Sequence, residues 1–386
     1  WLGITIIIAR ILGPRGQGIY SLAILLPSLL IIFTNFGINP ASIYFIGKAK
    51  YPLKEIFGNN IILALLITAF AVLIGLIITF FFNDKLFPEI ERQYLILALF
   101  IIPFSLFFSF IVQILVGLQK FKKYNLMEFL QTIFFFTLLI IFLLKPPFGI
   151  SFAILAQILS LIFISIILFF LVKKEVNGLI LKINKNYFQD VFLYGSKVHL
   201  GNIFSFLHHR IDVFLINIFI NPAAAGFYWI AARLAEMIWL FSQSSVTVLF
   251  PRISSEKDIG QLKEFTPLVC RNILFISFLV ALLLFVFARW VIVLFFSEKF
   301  FDSIQPFQIL LIGTIAMSGL SILNADLIGR GRPILSTYII GFSAILNIIL
   351  NIILIPEFGI GGAAWATAIS YSLAFIITVL VYGKVS

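Results

Sequence analysis

Four ionisable side chains, Arg210, Asp212, Arg233 and Glu236, lie in HHRIDVFLINIFINPAAAGFYWIAARLAE, His208 to Glu236, a stretch otherwise apolar enough for a bilayer. A charge at the bilayer centre costs about 2.5–3.5 kcal/mol on insertion scales, so these four must face protein or a wet cavity. Two kinds of chemistry suit them. The arginine fork holds two oxygens of one anion and stays protonated, which makes Arg210 and Arg233 candidate anion contacts. Alternatively the four pair off and lock two helices together. The count along the chain bears on this: Arg210 is 11 residues before Asn221, and Arg233 is 11 after Pro222. A helical hairpin turning at Asn221-Pro222 therefore brings both arginines to similar depth, at 1.5 Å per residue. On the same count Asp212 can reach Arg233 and Glu236 can reach Arg210.

His208 titrates near neutral pH and is a candidate for ion coupling alongside Asp212 and Glu236. Its neighbour His209 points about 100° away, so at most one of the two faces any cleft, and a packed neutral histidine is the alternative. Lys197 either meets a phosphate or snorkels to the headgroups. Asp326 and Glu128 read as interfacial. Asn35 and Asn39, beside Gly37, either line a wall or bond helix to helix. Gly13-Pro14-Arg15-Gly16-Gln17-Gly18 lacks the Gly-Lys-Ser/Thr ending of a phosphate loop and reads as a turn between helices.

The elements that position these residues follow from composition. Of 386 residues 62% are hydrophobic and 11% charged, against roughly 25% charged in a soluble domain. The fold class is all-α and polytopic. Runs of about 20 apolar residues predict about twelve transmembrane helices, near 1–12, 18–46, 56–82, 94–118, 125–144, 149–172, 191–220, 223–248, 268–289, 305–328, 334–355 and 362–382. The chain opens on Trp1 inside an apolar run, so the first helix is expected to be truncated, and further helices after Ser386 are left open. One set of alternate loops holds seventeen Lys and Arg, the other seven, which places the richer set and the C-terminus in the cytoplasm. The net charge of +11 thus reports topology, and no nucleic-acid partner is expected. One cysteine and three histidines offer neither a disulfide nor a structural metal cage.

The chain also repeats. LGPRGQGIYSLA from Leu12 lies over INPAAAGFYWIA from Ile220, LVGLQK from Leu115 over LIGRGR from Leu327, and FGISFAILAQILS from Phe148 over FGIGGAAWATAIS from Phe358, at offsets of 208, 212 and 210. Two six-helix lobes, 1–189 and 190–386, are therefore expected, related by a pseudo-two-fold axis along the membrane normal, as in transporters built from parallel repeats. Shifted back by 208, the four charges fall on Leu2, Ile4, Leu25 and Ser28, so only the second lobe is charged.

With ARILGPRGQGIYSLA, RIDVFLINIF, GFYWIAARLAE, LFPRIS and FGIGGAAWATAIS, the chain resembles the polysaccharide transporter family of flippases for lipid-linked oligosaccharides. The superfamily of that family also holds multidrug extruders and lipid II flippases. The resemblance implies a transporter, not an enzyme, in the cytoplasmic membrane. It would turn a sugar carried on polyprenyl diphosphate from the cytoplasmic to the outer leaflet by alternating access, with Arg210, Arg233 and Lys197 at the substrate. Export of drugs or another lipid intermediate is the alternative, and a membrane-bound glycan polymerase or ligase a further one. No cofactor is implied beyond a coupling ion, H+ or Na+. Membrane lipid and the lipid-linked oligosaccharide are the expected partners, with a glycan polymerase or glycosyltransferases as neighbours.

Overall fold

The structure is a computed structural model that describes residues 2–143, 149–255, 259–330 and 332–385. The side chains of residues 197–198, 250–252, 254–255, 259–264 and 385, which include most of LFPRIS, lie outside the description. Among the described residues every regular element is helical. The helices are α1 (Leu2–Thr34), α2 (Ile38–Gly47), α3 (Leu53–Phe81), α4 (Asn83–Leu86), α5 (Arg92–Leu99), α6 (Ile101–Gly117), α7 (Phe121–Leu143) and α8 (Ile150–Glu175). There follow α9 (Lys185–Phe219), α10 (Pro222–Ala235), α11 (Trp239–Ser255), α12 (Ile259–Val286), α13 (Ala288–Phe296), α14 (Ile304–Gly329) and α15 (Pro333–Val385). Backbone groups in hydrocarbon must bond within their own segment, which is why runs this apolar fold as helices.

Nine of the described helices are long and apolar enough to cross a membrane. Two of these are double. α1 breaks at Gly13 (φ 67°) and α15 at Gly359 (φ 59°), left-handed conformations that glycine adopts without a Cβ clash. α9 has the length but carries His208, His209, Arg210 and Asp212 in its middle. Dividing α1 and α15 and adding α9 recovers the twelve predicted segments. The glycine-rich turn after Leu12 is thus a break between helices.

Contacts sort the chain into two units, Trp1–Leu12 with Ile19–Ile203, and Gly13–Gly18 with Phe204–Ser386. Lipid tails are as apolar as leucine, so helices in each unit associate through close backbone approach and polar bonds rather than through a hydrophobic drive. In the second unit Gly18 and Gly226 meet reciprocally. A Cβ on Gly18 would lie 1.7 Å from the Pro222 carbonyl oxygen, and one on Gly226 2.1 Å from that of Pro14. These are equivalent positions of the sequence repeat. Gly226→Ala should lower stability by about 1–3 kcal/mol through overpacking, with a matching loss of monodisperse yield. Gly47→Ala, where added bulk meets open space, should leave the melting temperature unchanged.

In the first unit the N-terminal half of α9 is fastened at several points. Gly37 (φ 69°) sits against the Gly195 backbone, Tyr44 stacks on Tyr194 at 4.5 Å, and His199 Nε2 meets the Phe33 carbonyl at 3.1 Å. Asn39 donates to Ser109 Oγ at 2.7 Å, which joins α2 to α6. At the head of α9, Asp190 accepts from Tyr51 Oη at 2.5 Å and pairs with Lys50. The Lys50 ammonium holds the Asp190 carboxyl below its usual range, and Asp190 in turn raises Lys50. The contribution of the pair is therefore present between the carboxylate and lysine ranges, and is lost as pH falls below about 4 or rises above about 10. The melting temperature of the wild type should exceed that of Asp190→Asn at pH 7, and the gap should close under acid.

Candidate functional site

The second unit holds the charged constellation. The turn forms where the sequence places it: Asn221 caps α10 by accepting from the Ala224 amide at 2.9 Å, and Pro222 takes the first helical position, where its missing N–H costs nothing. Arg210 then grips Glu236 with both fork nitrogens, Nη1 to Oε1 at 2.5 Å and Nη2 to Oε2 at 3.1 Å. Arg233 reaches the same carboxylate one turn along, Nη1 to Oε2 at 3.1 Å. Trp229 carries both guanidinium groups over its ring, Arg210 at 5.3 Å and Arg233 at 4.5 Å. The two cations differ in access. The Arg210 side chain is 15% exposed, that of Arg233 38%.

Asp212 does not pair with Arg233, contrary to the expectation from depth. It is held by three neutral donors, Thr367 Oγ1 at 2.5 Å, Tyr228 Oη at 2.6 Å and Asn351 Nδ2 at 2.7 Å. The reason is angular: Tyr228 leaves α10 toward Asp212, while Arg233 lies along Trp229 toward Glu236. Depth fixed which residues share a level and not which face they occupy. Asp212 is 2% exposed, and three hydrogen bonds are what let a buried carboxylate remain in place.

Neutral polar groups continue the network. Asn347 Nδ2 donates to Thr367 Oγ1 at 3.3 Å and to Ser370 Oγ at 3.4 Å. Ser370 Oγ meets His208 Nε2 at 3.0 Å, and Ser343 Oγ meets it at 3.1 Å. Hydrogen bonds thus run from Asp212 through Thr367, Asn347 and Ser370 to His208, which is buried edge-on against Tyr371. His209 lies against Trp239, with ring centres 4.9 Å apart, and its Nδ1 also meets Tyr371 Oη at 3.3 Å, so both histidines touch Tyr371. A small cavity of about 20 Å³ is lined by His209, Asp212, Tyr228, Glu236, Thr314 and Tyr371, enough for about one water-sized particle. Beside the network, the fully buried Asn351 Oδ1 has no hydrogen-bond partner among the described residues.

The repeat reappears in these bonds. Tyr228 Oη and Thr367 Oγ1 are 3.1 Å apart, and the positions aligned with them, Tyr20 and Gln157, are joined at 3.1 Å in the first unit. The position aligned with Asp212 is Ile4, which is buried, so of this aligned pair only the second unit's member carries a carboxylate.

Two other sequence candidates fall elsewhere. The side chain of Lys197 lies outside the described residues. Asp326 is fully buried within the protein, where it pairs with Arg330 four residues on, accepts from Tyr382 Oη at 3.1 Å, and is bonded by Thr266. Among the described residues no three His, Cys, Asp or Glu gather as a metal-binding group. The residues that sequence reasoning missed are Tyr228, Asn347, Asn351, Thr367 and Ser370. The available signal was Asn347 and Asn351, four apart in an apolar helix and so on one face.

Described helices long and apolar enough to cross a membrane, with a buried polar network in the second unit, define a class, the multi-pass membrane proteins. The fold matches two of these. A multidrug resistance MATE family transporter in an inward-facing conformation has a TM-score of 0.84 at 16% identity, with 99% of this chain and 93% of that one covered. The lipid II flippase MurJ in an inward closed conformation has 0.78 at 17%, with 98% and 84% covered. The chain belongs to the polysaccharide biosynthesis protein family, whose model matches residues 2–256. An uncharacterized membrane protein of Methanocaldococcus jannaschii is 28% identical over 391 aligned positions, covering 97% of this chain and 91% of its own. A protein of Haloferax volcanii, named a probable low-salt glycan biosynthesis flippase, is 28% identical over 192 positions, 49% of this chain and 41% of its own.

Proposed function

We propose that this chain is a secondary transporter that moves a lipid-linked oligosaccharide, carried on polyprenyl diphosphate, from the cytoplasmic to the outer leaflet by alternating access. It sits in the cytoplasmic membrane with its C-terminus inside. The observation that carries the reading is the convergence of Arg210 and Arg233 on one carboxylate, Glu236, with Arg233 the more exposed of the two. A diphosphate offers Arg233 more oxygens than Glu236 does and can take its fork, while Arg210 stays clamped to Glu236. Arg233 is then the substrate contact and Arg210 with Glu236 the frame that holds Trp229 beneath it. Membership of a polysaccharide biosynthesis family and the relative named a glycan biosynthesis flippase support a glycan-bearing substrate. A multidrug exporter is favoured only by the fold. Small cationic drugs would not be drawn to two guanidinium groups.

The coupling ion, H+ or Na+, is assigned to Asp212. The donor set fits either: Asp212 Oδ1 accepts a single hydrogen bond, Asn351 Oδ1 accepts none, and the adjoining cavity admits one small particle. Carboxylate, amide and hydroxyl oxygens suit a hard cation. His208, at the far end of the hydrogen-bonded chain, positions Ser370. A glycan polymerase and glycosyltransferases are the enzymes that would consume the product and supply the substrate.

The cellular test is removal of the protein. Lipid-linked oligosaccharide should accumulate, with its glycan open to a membrane-impermeant oxidant in inside-out vesicles and closed to it in right-side-out ones. Unchanged levels with the glycan outside would contradict the proposal.

A further inference from the structure

The first unit carries a separate, largely apolar feature away from the charged constellation. A groove of about 330 Å³ lies between α3, α6 and α8. Its floor includes Ala64 and Ser165, both buried, and its rim includes Leu65 and Phe170, each 63% exposed. Along α8 it runs from Ile162 to Phe170. Eight residues of helix rise about 12 Å, close to half of the roughly 30 Å hydrocarbon core. The groove is therefore one leaflet long. At the Phe170 end the sequence turns basic: Lys173 and Lys174 follow within one turn, both exposed, and Lys173 Nζ lies 6.0 Å over the ring of Phe169, which lines the groove. The carboxylate beside them, Glu175, is already held by Lys120 and Lys123.

The geometry points to a binding site for one anionic phospholipid of the membrane, its phosphate on Lys173 and Lys174 and one acyl chain in the groove. The two halves match in sign and in length. The cations stand at headgroup depth, where snorkelling lysines meet phosphate, and the groove continues toward the midplane as a chain of that leaflet does. A polyprenyl chain, much longer than one leaflet, would overrun the groove at Ile162. Ser165, whose hydroxyl makes no hydrogen bond among the described residues, marks the point where added bulk would displace the chain without breaking a bond.

Native mass spectrometry of the delipidated full chain tests this, with dioleoyl-phosphatidylglycerol, dioleoyl-phosphatidylcholine and a polyprenyl phosphate added at equal concentration. Phosphatidylglycerol should be retained in preference to phosphatidylcholine. Lys173→Gln and Lys174→Gln should each lower that retention about fivefold, the worth of one cation near an anionic surface, while Lys299→Gln leaves it unchanged. Ser165→Phe should remove the adduct altogether with helicity intact. If that variant fails to fold, the two exposed lysines still decide the matter. Equal retention of the two phospholipids by the wild type would overturn the proposal, as would insensitivity to both lysine variants. Displacement of phosphatidylglycerol by the polyprenyl phosphate would give the groove to the transported lipid and overturn it equally.

Discussion

Asp212→Asn is expected to uncouple transport from its ion gradient while leaving the protein folded. The substitution keeps the shape and removes the charge. Tyr228 Oη and Thr367 Oγ1 retain an oxygen to donate to, while Asn351 Nδ2, which also donates to the carbonyl and Oδ1 of Asn347, loses Asp212 Oδ1 as an acceptor. With that one hydrogen bond lost, stability falls by about 1–3 kcal/mol. What is lost is the difference in ion affinity between the two faces of the cycle, and a coupling free energy of that kind is typically worth about 5–150-fold. Flipping driven by a proton or sodium gradient should therefore fall by a factor in that range, to the level seen without a gradient. Comparing a pH gradient with a sodium gradient in the wild type identifies the ion. Gradient-driven flipping by Asp212→Asn at the wild-type rate would remove Asp212 from coupling.

The second large effect concerns Glu236. Glu236→Gln leaves two guanidinium groups over Trp229 without the carboxylate they share, and one of them, Arg210, is only 15% exposed. Removing one partner of a buried pair costs about 3–5 kcal/mol, because the remaining charge is stranded. The melting temperature should fall sharply, and Arg210→Gln/Glu236→Gln should recover part of it, with an interaction energy of about 0.5–3 kcal/mol, Arg233 still lacking the carboxylate. Arg233→Lys is the functional counterpart. It keeps the charge at a partly exposed position and loses the fork, so stability should hold while flipping drops. A melting curve and a flipping rate for each variant separate the frame from the contact. Wild-type flipping by Arg233→Lys would show that Arg233 serves the fold.

Much of this arrangement was legible in the sequence, and the gaps have physical causes. Apolar runs marked the spans, since a bilayer admits few other structures. The Asn-Pro turn fixed relative depth and so placed Arg210 opposite Glu236. Depth gave no azimuth, which is why Asp212 was assigned to Arg233 when its donors are Tyr228, Asn351 and Thr367. Tyr228 lies 16 residues on, in the same hairpin, but Asn351 and Thr367 lie 139 and 155 residues away, and a single hydroxyl or amide in an apolar helix has no short-range pattern that announces so distant a partner. The partners of Asp326 are hidden for the same reason, since Thr266 and Tyr382 lie 60 and 56 residues away. The repeat proved informative at the level of single bonds, because Tyr20 with Gln157 and Tyr228 with Thr367 occupy aligned positions.

The most direct test of the transport assignment is reconstitution of the purified wild-type chain into liposomes that contain a fluorescent polyprenyl-diphosphate oligosaccharide, with a membrane-impermeant quencher added outside. The glycans initially facing the lumen should become quenchable over time in vesicles that contain the protein, faster with an imposed ion gradient, and slower with Arg233→Lys. A quenchable fraction that stays constant in wild-type vesicles, under proton and sodium gradients alike, would contradict the assignment.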